Sequence, residues 1–148
     1  MKQKKKVDEG ALENRLLAAL PKGEFNNIAG ALERVECEQG DVLWEVEEKR
    51  KYLYFPTTAL IFLLHETDSG VSAEVGIVGR DGVAGVSLFT GDARMADRAV
   101  VQHGGGAYRM RGKAVKDEFA QCGDFQDLLM NYTQSLITHI SQTAICYR

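Results

Sequence analysis

The chain has 148 residues, 45% apolar and 26% charged, with a net charge of −3; this is the size and makeup of one globular domain with its own core. The acid excess excludes the electrostatic footprint of a bare DNA-binding domain. Three scattered cysteines, Cys37, Cys122 and Cys146, exclude a disulfide framework and point to a reducing cytoplasm, and the mid-chain apolar run "ALIFLL", Ala59–Leu64, is too short to span a bilayer, so no membrane partner is expected.

The opening "MKQKKKVDEG" has the charge of a signal peptide, but Glu13, Asn14 and Arg15 interrupt "ALENRLLAAL" where an apolar stretch should follow. Residues 1–11 therefore read as a disordered, solvated basic tail and the chain as cytoplasmic. Two short helices come next. Leu12, Leu16 and Leu20 fall four apart before Pro21 stops the run, and Phe25, Ile28, Ala29 and Leu32 follow the i, i+3, i+4, i+7 pattern. The period then changes to that of strands. "RVECEQGDVLWE" holds a Gly-Asp turn between two β-like runs, and "KYLYFP" is an aromatic strand. "TALIFLLHET" and "VSAEVGIV" flank the turn "DSG" as a hairpin. In the second arm Val71, Ala73, Val75 and Ile77 alternate with Ser72, Glu74 and Gly76, which predicts one buried face and one wet face. "DRAVVQ" and "AYRMR" follow, separated by "HGGGA". Short strands with turns at close intervals predict a roll, sandwich or barrel.

The end is helical again. "GKAVKDEFA" is a short helix. A long one begins after Cys122-Gly123, with Asp124 as its N-cap, and runs without Gly or Pro to Arg148. One stripe comprises Phe125, Leu129, Tyr132, Leu136, His139, Thr143 and Cys146; a second comprises Met130, Thr133, Ile137, Ile140, Ala144 and Tyr147. Two stripes need two surfaces: the chain's own β-domain and the same helix of a second chain. One wide stripe against a single domain is the other reading of the same pattern.

This order of elements, with the segments "GDVLWEVEEKRKYLYFP", "GRDGVAGVSLF", "DRAVVQ" and "YTQSLITHISQTAICYR", resembles the sensor half of Crp/Fnr-type transcription regulators from about residue 12 onward. The resemblance implies a mainly β fold with flanking helices, a double-stranded β-helix or jelly-roll-like β-roll, followed by a long C-terminal dimerisation helix. Its parts are the tail 1–11, a cyclic-nucleotide-binding-like roll 12–122 and the helix 123–148. The seam of a homodimer falls on Phe125, Leu129, Tyr132, Leu136, His139, Ile140 and Thr143. The DNA-reading helix-turn-helix that such regulators carry after this helix has no counterpart in these residues, so DNA is expected to be bound only through a missing C-terminal domain, and the abrupt helical end at Arg148 favours a cut there.

Between Gly79 and Val101 stand four glycines, three arginines and three aspartates. The resemblance makes this stretch a phosphate-binding cassette, with Gly82, Val83, Ala84, Gly85, Asp97, Arg98 and Ala99 lining the ligand pocket. Two positions depart from the family pattern. Where nucleotide-binding members carry a Gly-Glu pair whose glutamate holds the ribose, this chain reads Gly82-Val83. Where they carry the phosphate arginine before a small hydroxyl residue and an alanine, it reads Asp97, Arg98, Ala99. A one-residue displacement along a strand turns a side chain to the other face, unless a bulge restores it. The cassette is thus expected to be degenerate, with Arg80, Arg94 and Arg98 paired on the surface with Asp81, Asp92 and Asp97. No cofactor is expected. Cyclic nucleotides should bind weakly or not at all, and an unknown small-molecule effector is the expected ligand.

Catalysis finds little support. His65, His103 and His139 have no metal-ligand spacing, no G-x-S-x-G element occurs, and residues 1–36 lack the cysteines of an iron–sulfur site. Glu45, Glu47 and Glu48 with Lys49, Arg50 and Lys51 read as a solvated loop, and Trp44, Tyr52, Tyr54 and Phe55 as core or core edge. The chain is therefore read as a sensor domain and not an enzyme. The alternative is a cupin-like β-barrel enzyme or a stand-alone ligand-binding protein.

Overall fold

A computed structural model describes residues 9–45, 48–66, 72–86, 88 and 97–146. The "DSG" turn, Val71, Asp92, Arg94 and Tyr147 lie outside the described residues. So do the side chains of Asp97, Ile137, His139, Ile140, Thr143, Ala144 and Cys146.

The N-terminal apolar run does not form the single helix that Leu12, Leu16 and Leu20 suggested. A 3-10 turn over Glu9–Glu13 ends at Asn14, and α1 spans only Arg15–Ala18. Asn14 is extended, and its side-chain oxygen accepts the N–H groups of Leu16 and Leu17 as an N-cap. The break rotates the apolar face. Ala11, Leu17 and Leu20 are buried, and Leu12 is exposed. Ala11, assigned to the tail by sequence, is part of the core. α2 covers Lys22–Ala29 and buries Phe25 and Ile28, while Leu32 begins the first strand and is not a fourth helical position.

Among the described residues seven strands follow: β1 Leu32–Cys37, β2 Val42–Trp44, β3 Tyr52–Pro56, β4 Leu60–Glu66, β5 Ser72–Val78, β6 Asp97–His103 and β7 Gly105–Arg111. They form two antiparallel sheets, ordered β1-β7-β3 and β2-β6-β4-β5. The chain changes sheet between β1 and β2, β2 and β3, β3 and β4, and β6 and β7, so strands close in sequence sit in opposite walls. The β4–β5 pair stays within one wall, as the hairpin reading required.

The alternation in β5 is not continuous. Leu63 faces Gly76 but Leu64 faces Glu74, so Val75 is an extra residue and the inward parity changes there. Gly76 and Val78 are buried, while Ile77, expected inside with the apolar set, is 52% exposed.

Two helices close the fold, α3 over Gly112–Phe119 and α4 over Asp124–Cys146. Asp124 is the first helical residue and not the cap. The N–H groups of Asp124 and Phe125 each donate to the Glu24 carboxylate of α2 at 3.3 Å, which also places an anion at the positive end of the helix. Phe125, Leu129 and Leu136, expected in a dimer seam, are instead buried in the chain's own core with Ile61, Leu63, Val83 and Val115. Burying such side chains stabilises by about 1.5–3 kcal/mol each, so the fold holds this stripe more firmly than an intermittent partner could. On the described part of α4, Met130 is the large apolar side chain left exposed.

Candidate functional site

The stretch from Gly79 to Val86 is a turn, exposed at Arg80 and Asp81 and buried from Gly82 to Val86, with several of its backbone groups partnered inside the chain. The Gly82 N–H closes it on the Gly79 carbonyl at 3.0 Å. Asn14 reaches in from α1 and donates through Nδ2 to the carbonyls of Pro56 (2.8 Å) and Gly82 (2.9 Å). The Arg15 N–H donates to the Arg80 carbonyl at 2.7 Å, and the Arg15 guanidinium lies 3.1 Å from Asp81. Asp81 was expected to pair with Arg80; the ion pair runs to Arg15 because the break at Asn14 brings α1 onto the turn.

Next, Val83 and Ala84 are fully buried. The Ala84 N–H donates to the Tyr54 carbonyl and the Tyr54 N–H donates to the Ala84 carbonyl, both at 2.9 Å, forming a short antiparallel bridge to β3. The Val83 N–H donates to the Tyr132 hydroxyl of α4. Burial pushes the Tyr132 phenol up, and that N–H partly opposes the rise. Gly82 is required here because a Cβ would stand 2.8 Å from Tyr132 Cζ, an approach no side chain tolerates. Gly85 has φ +109, and a Cβ there would meet the Tyr52 carbonyl at 2.9 Å. The Leu88 N–H then donates to the Gly85 carbonyl at 3.0 Å. The glycine with a left-handed backbone is thus Gly85, followed by Val86, three places beyond the pair singled out in the sequence. At either place the next residue is a valine.

On β6, Ala99 lies opposite Leu63 and both are buried, so this is the core side. Arg98 lies opposite Leu64 on the other face. Pairing is regular from Asp97 to Val101, and the ladder slips only between Leu60 and Ile61, beyond Arg98. No bulge in that ladder returns Arg98 to the core side. Its Nε is 3.8 Å from a Glu45 oxygen, too long for a hydrogen bond, and has no hydrogen-bond partner. The expected pairing of Arg98 with Asp97 falls on a side chain outside the described ones; among those described, Arg98 approaches Glu45. Asp97 faces His65 in the backbone register.

Three residues that organise the turn and the start of α4 escaped the sequence reading. Asn14 looked like a helix interruption, Glu24 like an ordinary acidic residue, and Tyr132 like one member of a stripe. Only the polar interruption at Asn14, inside an apolar run, carried a readable signal. Among the described residues, no group of three His, Cys, Asp or Glu could hold a metal ion, and no helix is long and apolar enough to cross a membrane.

No protein-family model matches the sequence, and no curated protein matches it. Solved structures do. The regulatory subunit of a cAMP-independent protein kinase A from Trypanosoma brucei superposes with a TM-score of 0.72 at 18% identity, over 85% of this chain and 45% of that one. The Thermus thermophilus catabolite activator protein gives 0.66 at 14% identity, over 89% of this chain and 60% of that one. The sensor domain of the transcriptional regulator DNR from Pseudomonas aeruginosa gives 0.65 at 14%, over 92% and 90%. The fold is that of cyclic-nucleotide-binding domains, Crp/Fnr-type sensor domains among them. The chain spans about half the length of the kinase subunit it matches and nearly all of the DNR sensor domain.

Proposed function

We propose that this chain is the effector-sensing and dimerisation domain of a Crp/Fnr-type bacterial transcription regulator, cytoplasmic and non-enzymatic, with a degenerate phosphate-binding cassette. The observation that carries the reading is the occupation from within of two amides of this turn, Val83 N–H by Tyr132 and Ala84 N–H by Tyr54. A phosphate would need such donors free. Two further facts support it. Valine, at Val83 and at Val86, cannot accept a ribose hydroxyl, and Arg98 stands on the face away from the core.

Related folds do hold nucleotides: a Toxoplasma gondii kinase regulatory domain is described with cAMP, and a Trypanosoma cruzi regulatory subunit with guanosine. In this chain a ribose–carboxylate bond is missing, which is worth about 1.5–3 kcal/mol or roughly tenfold to a hundredfold in affinity. The effector is then a neutral or apolar small molecule. Dimerisation runs through the outer face of α4, led by the exposed Met130. Residues 1–148, at net charge −3, do not bind DNA themselves.

Titration calorimetry with cAMP and cGMP tests the cassette reading. No heat of binding is expected up to millimolar nucleotide, and a micromolar dissociation constant for either overturns it. Light scattering at high protein concentration tests the seam: a strictly monomeric chain overturns that part.

A further inference from the structure

The outer face of the β2-β6-β4-β5 sheet is apolar at its centre. Register sets Val42 beside Val100, Val100 beside Phe62 and Phe62 beside Ile77, one row across all four strands. Leu60 and Leu64 flank Phe62 on the same face of β4, while Ile61, Leu63, Ala99 and Val101 are buried on the inner face. Among the described residues five large apolar side chains are exposed. Three of them, Val42 (44%), Leu60 (37%) and Ile77 (52%), stand on this one outer face, and Phe62, Leu64 and Val100 are half-buried among them. Single exposed apolar residues are ordinary, but a contiguous set marks an interaction surface.

The rim states what covers it. In the order β2-β6-β4-β5 the outer strands are β2 and β5, and every pairing is antiparallel, so β2 starts at the end of the sheet where β5 finishes. At that end the β2 corner carries the exposed acids Glu38 and Asp41, held together by the Glu38 N–H, which donates to the Asp41 carboxylate at 2.8 Å. The β5 corner at the same end carries the exposed Arg80, while its neighbour Asp81 is paired with Arg15 at 3.1 Å. A second copy stacked face to face about a two-fold axis parallel to the strands, between β6 and β4, sets each β2 corner on the β5 corner of the other copy. Glu38 and Asp41 then meet Arg80. The same axis lays Phe62 over Val100 and Ile77 over Val42, large side chain against small, as interdigitating sheet faces require. A two-fold axis across the strands would instead set Phe62 on Phe62 and bring Glu38 and Asp41 onto Glu45, the exposed acid at the other end of β2.

We propose that the outer face of this sheet is an interface for a second copy of this chain, stacked about the strand-parallel axis. The row from Val42 to Ile77 is its centre, and Glu38, Asp41 and Arg80 are its rim. It is separate from the α4 seam and does not rest on it. Four strands about 4.8 Å apart and about five residues long give a footprint on the order of 300 Å² per copy. That is the weak class of protein interface, with half-association at about 0.1–1 mM.

Sedimentation equilibrium of the full chain, with its amide spectrum followed on dilution from about 1 mM, tests the face. Met130→Lys removes association through α4, so what remains in that background reports the sheet. The mass should still rise with concentration, and the amides of Val42, Phe62, Ile77 and Val100 should shift together on dilution. In the same background Ile77→Lys should weaken self-association at least about tenfold, by burying a charge against apolar side chains. Arg80→Glu should weaken it about threefold to tenfold, by setting acid on acid, and it leaves the apolar row intact should Ile77→Lys disturb folding. A Met130→Lys chain that stays monomeric at about 1 mM overturns the proposal and leaves the face to a different protein. Dilution shifts confined to other elements, or unchanged association in Ile77→Lys or in Arg80→Glu, overturn it as well.

Discussion

Replacing Asn14 should damage this fold far more than its place in a short N-terminal segment suggests. The side chain is fully buried and makes four hydrogen bonds: Oδ1 accepts from Leu16 and Leu17 at 3.1 and 3.2 Å, and Nδ2 donates to Pro56 and Gly82 at 2.8 and 2.9 Å. Asn14→Ala removes a helix cap, about 1 kcal/mol, and leaves two buried carbonyls without a donor, about 1–2 kcal/mol each at the lower end of such penalties. The sum, about 3–5 kcal/mol, is a large part of the ~5–15 kcal/mol that holds a domain together. Asn14→Ser keeps the cap and loses only the two donated bonds, so it should cost about 2–4 kcal/mol. Asn14→Asp keeps the cap but sets a carboxylate against two carbonyl oxygens, so it should be at least as harmful as alanine. Urea unfolding followed by Trp44 emission measures the series. With a slope of about 2 kcal/mol per molar, the alanine variant should lose roughly 1.5–2.5 M in midpoint. A loss under ~1 kcal/mol for alanine, or an aspartate variant as stable as the parent, would refute the argument that Asn14 ties α1 to β3 and to the cassette turn.

Further outcomes follow from the same geometry. Tyr132→Phe leaves the buried Val83 N–H without its acceptor and should lower stability by about 1–2 kcal/mol; a neutral result in urea titration contradicts that bond. Glu24→Ala removes the carboxylate that caps α4 from α2 and should cost about 0.5–2 kcal/mol, with amide exchange accelerated at Asp124 and Phe125 if the cap is real. Gly85→Ala forces a Cβ against the Tyr52 carbonyl at φ +109; a loss of at least ~1 kcal/mol is expected, and calorimetric melting checks it. Stability should also fall at alkaline pH. Burial raises the thiol of Cys37 above its ordinary 9.0 and the phenols of Tyr54 and Tyr132 above 10.0. The folded state therefore holds these protons more tightly. The stabilisation is complete below the ordinary values and lost as pH climbs through the raised ones. A urea midpoint that is flat to about pH 8.5 and then declines is expected, and a midpoint that rises above pH 9 would contradict the sign.

What the sequence determined by itself was the succession of elements. The four-residue spacing in the helices, the alternation in the strands and the glycine turns are local properties, and they placed β1 to β7 and the two closing helices in order. The resemblance built on that order led to the fold that the solved structures share. The sequence also held the two valines and the displaced arginine, because residue identity needs no folding to be read. What only the tertiary structure decided was which groups meet. An alternating strand states that two faces differ, but the extra residue at Val75 decided that Ile77 faces water. A stripe on α4 states that something covers it, but the chain's own core claimed Phe125, Leu129 and Leu136. The caps and latches lie furthest from the reach of sequence. Glu24 serves amides 100 and 101 residues away, and Asn14 reaches carbonyls 42 and 68 residues away. A buried amide or carbonyl accepts any partner of the right polarity that folding brings within about 3 Å, and spacing along the chain says nothing about which one arrives.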